Sequence, residues 1–181
     1  MGERNHEVTR EQKLLNVQGN IAEPGWSRRQ LQIYERAAIK APAFRIKEWD
    51  YYLVLSREFA VAFTISDDGY VGLQSVSFLD FTKPCEHTET VLTVFPMGKL
   101  HLPENSSVGD TVYEGGRLKL KFLHEENGRR IVCEFRRFDG EKDFACDIYL
   151  RQPDMDTMVI ATLPKKPLWL KRAASRRWRT T

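Results

Sequence analysis

Two glycine turns, Asn127-Gly128 and Asp139-Gly140, separate three runs in which apolar residues recur at every second position. No other feature of the chain restricts its fold so tightly. Side chains alternate across a strand with period two, and Asn-Gly or Asp-Gly between alternating runs is a strong hairpin signal. A two-residue loop makes the numbers of opposed residues sum to a constant. The second turn therefore predicts Phe135 opposite Phe144, Cys133 opposite Cys146 and Ile131 opposite Ile148. The first predicts Leu120 opposite Phe135 and Phe122 opposite Cys133. All of these fall on one face. The opposite face carries Lys119 against Arg136, Lys121 against Glu134 and Arg136 against Asp143, a polar set suited to water. A three-stranded antiparallel meander follows.

The same grammar starts earlier, at Tyr51. Phe59, Val61, Phe63 and Ile65 form a bulky face, whereas Ala60, Ala62, Thr64 and Ser66 leave room on the other. Asp68-Gly69 supplies a positive-φ reversal. Beyond it, Val71 and Leu73 alternate in one phase and Val76 and Phe78 in the other, the mark of a β-bulge. Further runs at Tyr51 to Ser56, His87 to Val94, Thr111 to Glu114 and Thr157 to Thr162 bring the expectation to about nine strands between Tyr51 and Thr162. So many strands need their edges managed, which points to an all-β antiparallel barrel or sandwich. Upstream, the stretch from Ser27 to Pro42 predicts a few turns of helix with a serine cap, or an irregular cover over the sheet. The expected division is a polar N-terminal segment over 1–42, a β domain over 43–163, and a basic, disordered or atypical tail over 164–181.

Composition narrows the class of protein. No apolar run reaches the roughly 20 residues a membrane helix needs, and the charged N-terminus lacks the apolar stretch of a secretory signal. A cytoplasmic address is the expectation. The net charge of +3 is misleading: Lys165, Lys166, Lys171, Arg172, Arg176, Arg177 and Arg179 all lie in the tail, and without them it becomes −4. Such a tail suits a solvated end better than a nucleic-acid contact, and no nucleic-acid partner is expected. Three cysteines in this context read as free thiols rather than a disulfide framework. No phosphate loop, nucleophile elbow, zinc spacing or dinucleotide fingerprint is present.

Candidate chemistry is correspondingly sparse. Cys85, His87 and Glu89 alternate and would share a strand face, where His87 with Glu89 could act as a base and its orienting carboxylate. No second ligand pair supports a metal, and neither metal nor cofactor is expected. Asp80 ends a strand and is the further carboxylate within reach of that chemistry; an aspartate at a turn more often bonds its own backbone. Trp49, Tyr51 and Tyr52, with the small Ala62 and Thr64, suggest an apolar ligand wall, although aromatic residues more often serve the core. Cys133 and Cys146, being opposed, allow a cross-strand disulfide, but buried thiols are the simpler reading.

The motifs GWSR (Gly25 to Arg28), IKAP, RIKEWDYY, SDDGY, SVSFLDF, HTETVLT, FPMGKL and QPDMDTMVIAT occur in an order that resembles the bacterial domain-of-unknown-function 2804 family, from about Asn16 to Thr162. The resemblance implies no established activity. It implies a distant similarity to the calycin-like carotenoid hydratase and AttH group, with lipocalin-like barrels. Family members generally continue into a second half, so the tail ATLPKKPLWLKRAASRRWRTT departs from the pattern as a truncated, frame-shifted or divergent form would. Three functions follow as expectations. The first is binding of a small apolar ligand, lipid or isoprenoid-like, inside a barrel. The second is hydratase- or isomerase-like proton transfer by His87 with a carboxylate. The third is an interaction domain that self-associates through exposed edges.

Overall fold

The computed structural model describes residues 6–153 and 156–161, together with the backbone of 170–171. Its strands are β1 (Gln12–Lys13), β2 (Gly25–Ser27), β3 (Gln32–Ile33), β4 (Lys47–Leu55), β5 (Phe59–Asp67), β6 (Val71–Asp80) and β7 (Cys85–Val94). They continue as β8 (Thr111–Glu114), β9 (Leu118–Glu125), β10 (Gly128–Asp139), β11 (Lys142–Arg151), β12 (Val159–Ala161) and β13 (Leu170–Lys171). The long strands form two antiparallel meanders. One runs β4-β5-β6-β7, with β13 added in parallel beside β4; the other runs β11-β10-β9-β8. The nine strands expected between Tyr51 and Thr162 correspond to β4 through β12 among the described residues.

The two meanders face each other across one core. Phe63 and Ile65 of the first sheet and Leu118, Leu120, Phe122, Ile131 and Phe135 of the second are fully buried in it. Tyr52 tilts against Phe122 at 4.6 Å between ring centroids, and Phe63 approaches Phe144 at 6.4 Å. Of the two architectures expected, barrel or sandwich, the closed barrel does not form among the described residues, because the ladders remain two separate sheets. Bulky side chains fill the space between them, as close-packed interiors require.

The hairpin predictions meet a mixed outcome with a clear cause. Phe135 pairs with Phe144, Cys133 with Cys146 and Ile131 with Ile148, as the second turn requires. Near that turn the register shifts between Phe135 and Asp139, and Asp139 pairs with Lys142. This irregularity turns Phe138 into the core, where it is buried beside Phe135 and Phe144. At the first turn, Leu120 pairs with Cys133 and Phe122 with Ile131, a slip of two residues from expectation, because the loop is Glu126-Asn127 rather than Asn127-Gly128. A slip of two preserves the face. The core assignment therefore survives, while the polar pairs change: Lys119 stands opposite Glu134, with its ammonium 3.1 Å from the carboxylate.

No bulge interrupts β6. Its pairing with β5 is continuous from Gly72 to Asp80; the apparent change of phase arises because Val71 and Leu73 belong to the outer face and Val76 and Phe78 to the inner one. Of the two readings of the stretch after Ser27, helical or irregular, the capped helix does not form. β3 and a single 3-10 turn at Arg36–Ala38 occupy that stretch, and the Ser27 hydroxyl donates to the Arg29 carbonyl instead of capping a helix. This N-terminal region pairs β1 with β3 and β2 with β12, and it builds a second small core from Leu15, Ile21, Ile39, Ile46 and Ala161. Apart from Leu170–Lys171, the basic tail lies outside the described residues.

Candidate functional site

The ladder of the first sheet places its outer side chains in four cross-strand rows. Trp49, Ser66, Leu73 and Leu92 form the first, and Tyr51, Thr64, Ser75 and Thr90 the second. Leu53, Ala62, Ser77 and Thr88 form the third, and Leu55, Ala60, Leu79 and Glu86 the fourth. Large residues on β4 thus stand beside a floor of small residues on β5 and β6. The pattern follows from sequence alone: with one face of β5 given to Val61, Phe63 and Ile65, alternation assigns Ala60, Ala62 and Thr64 to the other.

This platform carries exposed apolar area at one end. Leu73, Leu92 and Val94 are 37%, 62% and 73% accessible, and Leu73 pairs with Leu92 and Val71 with Val94. Small hydroxyls punctuate the floor; the Thr88 hydroxyl donates to the Ser77 oxygen at 2.7 Å. Of the residues expected to line a ligand site, Trp49, Tyr51, Ala62 and Thr64 share this outer face, whereas Tyr52 points the other way, onto Phe122. None of the four outer residues lines the space between the sheets, because that space belongs to the other face of the same strands.

His87 and Glu89 lie on the inner side of β7, at the open edge of the first sheet. The His87 Nε2 atom is 2.6 Å from the Phe138 carbonyl oxygen, and the imidazole meets the Phe138 ring edge-on at 4.8 Å. Its distance to Glu89 is 4.0 Å. Arg117 holds that carboxylate at 3.0 Å and also donates to the carbonyls of Arg136 and Arg137. The sheets therefore meet here through a His87, Glu89 and Arg117 cluster whose side chains all retain partial exposure. Asp80 is not joined to it by a hydrogen bond. Its carboxylate accepts from the Thr82 hydroxyl at 2.7 Å and from the amides of Thr82 and Lys83, which hold its pKa below the ordinary carboxylate value. Cys85 shares the inner face of β7, yet no three His, Cys, Asp or Glu side chains converge on a point among the described residues.

Several residues of these sites escaped sequence reasoning. Arg117 reaches Glu89 from a loop separated by 28 positions, a distance no local pattern reports. Ser75 and Ser77 were within reach, since they alternate with Val76 and Phe78, but reading a bulge into β6 hid their face. Elsewhere, a half-open groove of about 360 Å³ lies among Lys13, Leu15, Val17, Ile33, Glu35 and Lys40. Its polar groups are already engaged, Lys13 with Glu35 at 3.4 Å and Lys40 with the Val17 carbonyl at 2.7 Å. Of the two aspartates near Pro153, Asp156 pairs with Arg28 at 2.9 Å, and Asp154 lies outside the described residues.

Two facing antiparallel sheets with a filled core and an apolar outer platform define an all-β domain. The chain belongs to the family described as Domain of unknown function (DUF2804), whose model matches residues 5–169. No curated protein and no solved structure matches the sequence. Among the described residues no helix is long and apolar enough to cross a membrane.

Proposed function

We propose that this domain is a binding module for a small apolar ligand, lipid or isoprenoid-like, which lies on the outer face of the β4 to β7 sheet. The observation that carries the reading is the side-chain relief of that face: Trp49, Tyr51 and Leu53 beside Ala62, Thr64, Ser75 and Ser77, with exposed Leu73 and Leu92 at one end. Aromatic rings beside small hydroxyl-bearing residues offer a flat or extended apolar molecule contact area and orienting groups. The space between the sheets suits a ligand less, because Phe63, Ile65, Leu120 and Phe122 occupy it. Proton transfer by His87 is the weaker alternative: its Nε2 is engaged by the Phe138 carbonyl, and its carboxylate neighbour is paired with Arg117.

The test is a fluorescence titration with cis-parinaric acid, a polyene fatty acid that emits when shielded from water. Saturable enhancement is expected in the wild type. Ala62→Trp and Ser77→Trp, which raise the floor, are expected to weaken it at least about tenfold, or 1.4 kcal/mol, with an unchanged circular dichroism spectrum. Absence of saturable binding, or equal affinity in both folded variants, would remove the reading.

A further inference from the structure

Cys133 and Cys146 stand directly opposite each other on β10 and β11, and both are free thiols on the face turned toward the core. Their surroundings differ. Cys133 is 1% accessible, whereas Cys146 is partly exposed on β11, which ends its sheet. Opposed residues of an antiparallel pair keep their Cα atoms about 4.5 or 5.5 Å apart, depending on the ladder position. Disulfides span Cα separations of about 4.4–6.8 Å, so either position admits the bond. Cys85 is exposed on β7 opposite Asp80, in the other sheet.

We propose that Cys133 and Cys146 are a reversible peroxide-sensitive pair that closes into a cross-strand disulfide. Cys146 is the partly exposed thiol that peroxide can reach, whereas Cys133 is shielded; the pairing of the two sulfurs also lowers the Cys146 pKa and, with burial, raises that of Cys133. Cys146 is therefore the attacking thiolate and Cys133 the resolving thiol. The Cys146 sulfur attacks one oxygen of hydrogen peroxide, the O–O bond breaks, and hydroxide leaves; the sulfur is oxidised to a sulfenic acid and the peroxide is reduced. The Cys133 sulfur then attacks the Cys146 sulfur. An S–S bond forms, the S–O bond breaks, and the departing hydroxide takes the Cys133 proton as water. The proton first lost by Cys146 neutralises the hydroxide of the first step, so two thiols and one peroxide give one disulfide and two waters. The new bond pins edge strand β11 to β10 beside Phe144 and Ile148, which pack on the core.

The experiment uses the full chain carrying Cys85→Ser, treated with hydrogen peroxide, denatured and then alkylated with iodoacetamide. The expected result is an intact mass lower by two hydrogens, loss of both alkylatable thiols, a peptide linking residues 133 and 146, and full recovery after dithiothreitol. Adding Cys133→Ala is expected to abolish the linkage and leave a sulfenic acid on Cys146 that dimedone captures. Two alkylatable thiols after oxidation, or a linkage only between two copies, overturns the proposal. If the Cys133→Ala protein does not fold, the mass and peptide measurements on the Cys85→Ser protein decide alone.

Discussion

The hydroxyl of Tyr34 donates to Glu48 Oε1 over 2.6 Å and thereby ties the N-terminal layer to the first strand of the five-stranded sheet. Arg36, two residues on, meets the other oxygen of the same carboxylate at 3.2 Å. Glu48 is 2% accessible, so these two partners take the place of water around its carboxylate. Burial and the bond to Glu48 both raise the Tyr34 pKa, keeping the phenol protonated as the donor. Tyr34→Phe should lower stability by about 1.5–3 kcal/mol, the range for a hydrogen bond to a charged group. Glu48→Ala, which strands Arg36, should cost about 3 kcal/mol or more. Urea denaturation midpoints with unchanged slopes would check both.

Gly69 and Gly116 should respond oppositely to alanine. Gly69 has φ +81°, and an added Cβ would sit 2.4 Å from the Phe44 carbonyl oxygen. Gly69→Ala is therefore expected to destabilise by about 1–3 kcal/mol from backbone conformation alone, with the clash adding to it. At Gly116 nothing lies within 4 Å of a new Cβ and φ is not positive. Gly116→Ala should stabilise by about 0.4–1 kcal/mol through the unfolded chain. Thermal unfolding of the two variants side by side is the measurement.

Core deletions should scale with what they remove. Phe63→Ala empties a fully buried position between the sheets and is expected to cost about 3–5 kcal/mol, whereas Ile131→Val removes one methylene for about 0.5–1.5 kcal/mol. Equal losses in the two variants, read by chemical denaturation, would contradict the packing described above.

Acid should weaken the outer face of the second sheet. Arg130 grips Asp147 through two bonds of 2.6 Å, and this contact lowers the Asp147 pKa. A carboxylate whose folded pKa lies below its unfolded value of about 4 contributes its stabilisation fully above that pH and loses it as pH falls through the folded pKa. Both side chains are about half exposed, so the effect should be small and diminish with salt. NMR titration of the Asp147 carboxyl is expected to show a normal pKa in Arg130→Ala, and the acid limb of the stability profile should flatten.

The legible part of the structure was local. Alternation placed Val61, Phe63 and Ile65 on one face of β5 and Ala60, Ala62 and Thr64 on the other, because the strand period is set by each residue's own backbone. The glycine at position 69 marked a reversal because it alone accepts that φ without strain. The illegible part was combinatorial. The slip at the first turn placed Phe122 opposite Ile131 rather than Cys133, since an Asn-Gly signal indicates a turn without saying which two residues occupy its centre. The platform that carries Trp49 and Tyr51 was visible as a set of residues and invisible as an outer surface, because small side chains beside aromatic ones look the same whether they face inward or outward.

By itself, then, the sequence determined antiparallel strands, their two faces and most of the residues that share a core, all consequences of period-two geometry and turn stereochemistry acting over a few residues. Tertiary structure alone decided that the strands form two facing sheets rather than a closed wall, that Arg117 meets Glu89 and Tyr34 meets Glu48, and that the small-residue face of β5 looks away from the core. Those outcomes depend on which bulky side chains fill a shared volume. That competition is settled between segments far apart in the chain.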